Sequence, residues 1–233
     1  MIKTRESGLK EGISRSLSQS LVYGIERRKT QVQLFGSFQK MSLQSWVLGC
    51  GTSSFTAGLV FTTYFSIYNN IIKHENAFIS NMAGAIAGFI TSFIKIPIGN
   101  SMRLLQTGKV DNVLSAGRLL FKKHGLPGLY KGYRISLIED IIEMDVRLRV
   151  YNSLTKKLNK ENNLQLNTFI GCLSGAVASA VTTPFDTVRS RMIYNRTGIL
   201  NIHGLYSGIE YRSLSNAVKS GAFFLFYEII KKI

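Results

Sequence analysis

Cysteine, histidine and proline are scarce in this sequence, and their scarcity argues against several kinds of protein. The 233 residues include two Cys, three His and three Pro. Both cysteines, Cys50 and Cys172, lie inside apolar stretches, so we predict core packing and no disulfide framework. The histidines are scattered and show no metal-ligand spacing. No nucleophile with a nearby base and no phosphate-binding glycine loop is visible in the sequence, so we expect neither enzymatic activity nor a cofactor.

Acidic residues are also few, and the chain is strongly basic. It has 13 Asp and Glu against 29 Lys and Arg, a formal net charge of +16. A soluble protein of this charge would be expected to bind nucleic acid or another anionic surface. The mean hydropathy of +0.10 favours a lipid environment instead. The position of the charges along the chain decides between the two.

Three long stretches carry no charged side chain: residues 41–72, 76–94 and 162–185. Each supplies the roughly 20 mostly apolar residues that cross a bilayer as a helix. Basic clusters such as Arg27–Lys29 and Lys156–Lys157 lie outside these stretches, which is typical of spans flanked by cations at the lipid headgroups. We therefore predict an all-α, multi-pass membrane protein that binds anionic lipid, such as cardiolipin, and no nucleic acid.

Repeated spacings divide the chain into three similar units. The pairs Gly49–Tyr68, Gly132–Tyr151 and Gly208–Tyr227 are each 19 residues apart. A second pattern, a glycine pair followed by Pro97 or by Pro184, precedes two of them. The spacings predict one domain, 1–233, with pseudo-threefold symmetry, made of three two-helix repeats at about 8–73, 78–158 and 164–233. The six predicted transmembrane helices are 8–32, 44–73, 78–107, 130–158, 164–194 and 206–232.

The segment 184–192, Pro-Phe-Asp-Thr-Val-Arg-Ser-Arg-Met, resembles the signature of the mitochondrial carrier family, Pro-x-Asp/Glu-x-x-Lys/Arg-x-Lys/Arg. The sequence of this segment is especially similar to the third repeat of ADP/ATP carriers. Tyr130–Gly132 in repeat two and Tyr227-Glu228 with Lys231 in repeat three also resemble the family. The resemblance implies a transporter of the mitochondrial inner membrane, with both termini facing the intermembrane space. We expect a monomer.

The resemblance also implies a ring of ion pairs, in which the signature acid of each repeat meets the base of the next. Repeat three supplies Asp186 and Arg189. In repeat one, Glu26 and Lys29 fit the signature if Gly24 replaces the proline. The alternative for this segment is a charged amphipathic helix on the membrane surface.

Repeat two departs from the signature. It retains Pro97, but Gly99 and Met102 stand in the acid and base positions, and Arg103 lies one place late. One regular pair, Asp186 with Lys29, is therefore expected. On the opposite face Glu228 is the one acid that matches the family's second ring. We predict that both gates are weak, since a partly exposed ion pair contributes about 0–1 kcal/mol.

Helical periodicity predicts which side chains face a central path. Stepping back by three to four residues from the signature acids places Arg15 and Lys95 on the inner face, and the cost of unpaired charges in lipid supports that placement. The family implies substrate contacts seven and eight residues after the glycine of each even-numbered helix, and periodicity adds two cations on the sixth. The predicted contacts are Arg15, Thr56, Lys95, Glu139, Asp140, Arg212, Ser215, Asn216 and Lys219.

Four of these residues are cations, which suits phosphate or carboxylate groups. Together with the likeness to ADP/ATP carriers, they favour exchange of nucleotides or deoxynucleotides by alternating access. Glu139 and Asp140 suit an amino group instead, or internal partners for Arg212 or Lys219. An amino-acid or other zwitterion carrier is therefore the first alternative. A degenerate membrane protein that no longer transports is the second.

Overall fold

The computed structural model describes residues 2–37, 43–72, 77–158, 164–194 and 204–232. This part of the chain is helical and contains no β-strand. Seven helices occur within it. The helices are α1 (Ile2–Phe35), α2 (Leu43–Ile71), α3 (Ala77–Gln106), α4 (Val113–Leu129), α5 (Tyr133–Leu158), α6 (Leu164–Ile193) and α7 (Ile209–Lys232).

The six long helices form a ring in the order α1, α2, α3, α5, α6, α7. Helix α1 packs against both α2 and α7, α6 packs against both α5 and α7, and α2 packs against α3. The ring closes between α3 and α5 through side chains, among them Ser92 Oγ and Tyr133 Oη at 3.2 Å. The short helix α4 packs outside the ring on α3.

The polarity of the bundle is inverted relative to a soluble protein. Its interior buries many polar side chains, including Gln31, Asn100 and Thr182, while large apolar side chains such as Phe89 and Ile141 are exposed. Two helical stretches of the described residues, Met82–Gln106 and Gln165–Ile193, are long and apolar enough to cross a membrane on length and composition. An apolar outside around a polar inside is the arrangement expected of a bundle that faces lipid and encloses a polar path.

The six predicted helices are present, with ends shifted by a few residues, but the segment between the third and the fourth was wrongly predicted to be a connector. It contains α4, whose first turn is capped by Asn112: the Asn112 side chain accepts a hydrogen bond from the Ser115 backbone N–H at 2.7 Å. Ala116 and Leu120 pack against Leu104 of α3. The asparagine cap and the four-residue apolar spacing were the missed signals.

The prolines do not end their helices. Pro97 lies inside α3, which continues to Gln106, and Pro184 lies inside α6, which continues to Ile193. The part of α3 beyond Pro97 carries Arg103, and the part of α6 beyond Pro184 carries Asp186, with which Arg103 pairs.

Glycines at the start of α5 and of α7 allow close contact with neighbouring helices. Gly132 and Gly208 have positive φ angles of 77° and 76°. A Cβ on Gly132 would lie 3.1 Å from Cγ of Arg189, and one on Gly208 would lie 3.2 Å from the backbone oxygen of Lys29. Both glycines therefore meet a signature base, and a side chain at either position would push that base away.

Candidate functional site

Asp186 in α6 is the centre of an ion-pair cluster that joins four helices. Lys29 Nζ lies 2.8 Å from its Oδ2, Arg103 Nη2 lies 2.6 Å from its Oδ1, and Arg212 Nη1 lies 3.0 Å from its Oδ2. Gln33 also donates to Oδ2 at 2.8 Å. The carboxylate is almost fully buried, with 1% of Asp186 exposed. We call these five side chains the Asp186 gate, because together they tie α1, α3 and α7 to α6.

The expected pair of Asp186 with Lys29 is present, but the prediction of a single regular pair was incomplete. Arg103, one place beyond the base position of repeat two, reaches Asp186 and also donates to Ser190 Oγ. A long, flexible side chain compensates for the shift in register. The gate holds three cations on one buried carboxylate, so its disruption should cost more than the loss of one exposed pair.

Glu26 turns away from the Asp186 gate and binds α7. It pairs with Lys219 and accepts a hydrogen bond from Gln19 at 2.6 Å. Lys219 is 7% exposed. This pairing explains how Glu26, which lacks its regular partner at Met102, is neutralised inside the bundle. It also means that Lys219, predicted as a cation of the path, is already engaged.

Arg212 is the second buried centre of charge. Its Nη2 donates to Glu139 at 2.8 Å, to Glu143 at 2.9 Å and to Thr182 Oγ1 at 2.9 Å. The side chains of Arg212 and Glu139 are 6% and 7% exposed. Because Arg212 also contacts Asp186, it joins the carboxylates of α5 directly to the gate. Of the two interpretations considered for Glu139, an internal partner for Arg212 is the one present in this structure.

Lys95 and Asp140 form a more accessible ion pair between α3 and α5. Lys95 Nζ lies 2.7 and 2.8 Å from the two oxygens of Asp140. Both side chains are 43% exposed. Glu139 and Asp140 are neighbours in the sequence but have different environments. Glu139 is buried and paired with Arg212, whereas Asp140 is accessible to solvent.

Arg15 differs from the other predicted path cations because it forms no ion pair among the described side chains. Its guanidinium lies 5.1 Å from the centre of the Phe61 ring, and that ring is 5.5 Å from the Phe223 ring of α7. Sequence analysis missed both rings. Phe223 lies four residues after Lys219, and one more helical step along the predicted stripe would have found it.

The remaining predicted contacts are less engaged in the charge network. Thr56 Oγ1 donates to the backbone oxygen of Thr52 at 2.7 Å, Ser215 is buried with its hydroxyl unpaired, and Asn216 is partly buried. Glu228 and Lys231 belong to α7, but their side chains lie outside the part of the chain described here. The predicted gate on that face stays a prediction.

Comparison with known proteins shows which family this chain is similar to. The family model described as "Mitochondrial carrier protein" matches residues 73–162 and 160–201, more than half of the chain. S-adenosylmethionine carrier 1, chloroplastic/mitochondrial, of Arabidopsis thaliana is 28% identical over 75% of this chain and 58% of its own length. Probable S-adenosylmethionine carrier 2, chloroplastic, of the same plant is 25% identical over 92% of this chain and 63% of its own. Mitochondrial thiamine pyrophosphate carrier 1 of Candida albicans is 28% identical over 65% of this chain and 60% of its own.

The chain thus spans 58–63% of the length of these three relatives. None of the three is named as an ADP/ATP carrier. The similarity to ADP/ATP carriers is therefore limited to segment 184–192. The family expectation itself is confirmed. By the match over more than half of its residues, the chain belongs to the mitochondrial carrier family, a family of multi-pass, helical, non-enzymatic transporters of the mitochondrial or chloroplast inner membrane.

Proposed function

We propose that this chain exchanges a small zwitterion with an aromatic group, of the S-adenosylmethionine type, across an organellar inner membrane by alternating access. The observation that carries this proposal is the distribution of charge along the path. Asp140 and Lys95 are accessible, with side-chain exposures of 43%, and Arg15 has no carboxylate partner among the described residues. In this proposal the substrate carboxylate engages Arg15 and a cationic centre of the substrate engages Asp140.

A polyanionic nucleotide is a poorer fit to the same residues. Of the four cations predicted on the path, Lys95, Arg212 and Lys219 each hold a carboxylate. Three phosphates would have to break these pairs and would leave the largely buried carboxylates of Glu139 and Glu26 without these partners, which is costly. A single carboxylate requires only Arg15.

The aromatic rings near Arg15 suit the rest of such a substrate. S-adenosylmethionine combines one carboxylate with an ammonium, a sulfonium and an adenine ring. Phe61 lies beside Arg15, and Phe223 meets it edge to face at an interplanar angle of 64°. An adenine ring would stack on the face of one of these two rings. The printed names of the two plant relatives, both S-adenosylmethionine carriers, support the same class of substrate.

We further propose that α1, α2, α3, α5, α6 and α7 cross the membrane as three two-helix repeats, with α4 lying at the gate end. This arrangement predicts that both chain ends lie on the same side. Epitope tags at the two ends, probed with protease in intact mitochondria or plastids, should be cleaved together or protected together. In this arrangement the connection between α2 and α3 lies on the same side as both chain ends. A tag placed there therefore serves as the marker for that side. Cleavage of one end with protection of the other would contradict six spans.

Replacing Asp140 with asparagine should weaken substrate binding without unfolding the protein. A charge-assisted hydrogen bond contributes about 1.5–3 kcal/mol, so the KM for S-adenosylmethionine exchange in liposomes should rise about ten-fold or more. The unfolding temperature should change little because Asp140 is half exposed. Asp145→Asn is the matched control, since Asp145 lies on the same helix in an exposed pair with Arg149, and it should leave KM unchanged.

Two outcomes would overturn the zwitterion assignment, and a third would change only the adenosyl part of it. Exchange of adenine nucleotides but not of S-adenosylmethionine would favour the nucleotide carrier, provided that the Asp140→Asn variant still exchanges nucleotides. Exchange of another amino acid alone would narrow the class and remove the adenosyl group. Folded protein that neither exchanges nor is thermally stabilised by nucleotides, amino acids or S-adenosylmethionine would support a membrane protein that no longer transports.

A further inference from the structure

Arg189 in α6 is a buried cation whose carboxylate partner is missing. Only 5% of the residue is exposed. Its one hydrogen bond is from Nη2 to the Asn100 side-chain oxygen, at 3.2 Å, and its buried Nε has no partner among the described residues. A neutral amide oxygen does not balance a guanidinium charge away from water, and such a charge is costly without a counter-charge.

A side chain is missing beside this guanidinium, at Gly99. A Cβ added to Gly99 would lie 3.8 Å from Nη2 of Arg189, an ordinary van der Waals distance. Apart from its own helix backbone and its two chain neighbours, nothing else described comes within 4 Å of that Cβ. On the other side the Arg189 stem is held against Gly132. Gly99 itself is partly accessible. We call the position that a side chain at residue 99 would occupy the gap, and it borders a buried cation that forms no ion pair.

Positive charge also exceeds negative charge around this gap. Two buried carboxylates, Asp186 and Glu139, lie in the cluster, and Glu143 contributes in part because it is shared with Arg147. Arg189 interacts electrostatically with the first two and with Asp140 but forms an ion pair with none of them, and Asp140 is already balanced by Lys95. The cations that face these carboxylates are Lys29, Arg103, Arg189 and Arg212.

From this geometry we propose that a small monovalent anion, for which chloride is the probe, binds between Gly99 and the Arg189 guanidinium. The anion supplies the negative charge that a carboxylate at position 99 would otherwise provide, and so joins α3 to α6. The site is separate from Arg15 and Asp140, so it does not depend on the substrate proposed above.

The test compares unfolding temperatures of the purified, substrate-free protein in sodium chloride and in sodium gluconate at equal ionic strength. Chloride should raise the unfolding temperature of the wild type by about 2–4 °C, because it binds the folded state and not the unfolded one. Gly99→Asp should unfold in gluconate no earlier than the wild type does in chloride, and added chloride should not raise its unfolding temperature further.

One further variant separates the effect of charge from that of shape, and another serves as a control. Gly99→Asn fills the gap without a charge, so it should lose the chloride response and lack the stabilisation of Gly99→Asp. Arg149→Gln removes an exposed arginine elsewhere and should keep the full chloride response. The proposal would be overturned by equal wild-type stability in the two salts, by a chloride effect that persists in Gly99→Asp and Gly99→Asn, or by Gly99→Asp being less stable than Gly99→Asn. Stabilisation by a carboxylate substrate but not by chloride would also overturn it.

Discussion

Asp186→Asn should abolish exchange and lower the unfolding temperature more than any other single neutralisation in the Asp186 gate. The change leaves Lys29, Arg103 and Arg212 without the carboxylate that they share. Removing one member of a buried ion pair costs about 3–5 kcal/mol, which corresponds to a fall of about 6–20 °C for a chain of this size. Thermal unfolding in detergent and exchange in liposomes measure the two effects. Asp145→Asn, on an exposed pair, should change either one little.

A charge exchange tests whether Lys29 alone defines the gate. If it did, Asp186→Lys combined with Lys29→Asp would restore activity lost in Asp186→Lys. The structure predicts little restoration, because the introduced lysine would still face Arg103 and Arg212. Recovery of exchange to a large fraction of the wild-type rate would show that Lys29 is the dominant partner and that the other two contacts contribute little.

Arg212→Gln should reduce exchange nearly as much as Asp186→Asn does, because it leaves an anion unpaired where Asp186→Asn leaves cations unpaired. The loss of Arg212 leaves Glu139 without an ion-pair partner in the interior of the bundle and leaves Glu143 with Arg147 alone. We expect exchange to fall by a hundred-fold or more, since the loss of a buried charge-paired group costs about 3–5 kcal/mol. Arg212→Lys should retain part of the activity, because a lysine keeps the charge but cannot reach Glu139, Glu143 and Thr182 at once.

The partner of Arg212 can be identified by a double-mutant cycle. Glu139→Gln removes the carboxylate that Arg212→Gln strands, so adding it should recover part of the unfolding temperature lost in Arg212→Gln. Asp140→Asn on the same background should recover nothing, because Asp140 pairs with Lys95. Equal recovery by both changes would contradict the separate roles of these adjacent carboxylates.

Local patterns in the sequence were enough to predict the six long helices and several of their contacts. These patterns are charge-free stretches of about 20 residues and a 3.6-residue period. They depend only on neighbouring positions, so they can be recognised without knowledge of the fold. The glycines of the 19-residue spacing were read as markers of a repeat. Gly132 and Gly208 have the positive φ angles that favour glycine. The pair of Asp186 with Lys29 followed from the family signature.

The sequence was least informative where a contact depends on the reach of a side chain. Arg103 was judged one place off register, yet it extends to Asp186. Glu26 and Lys219 are 193 residues apart and pair because α1 and α7 are neighbours in the ring. Helix α4 was missed because its short apolar face becomes recognisable only against α3.

The division between these two kinds of result has a simple physical cause. Hydrophobicity, helical period and backbone φ preferences are properties of a few consecutive residues, and they determined where helices form and which faces turn inward. The choice of partner for a buried charge depends on the rotation and spacing of helices distant in sequence. Only the packed bundle could decide that Arg212 is shared among three carboxylates while Arg189, equally buried, is left with none.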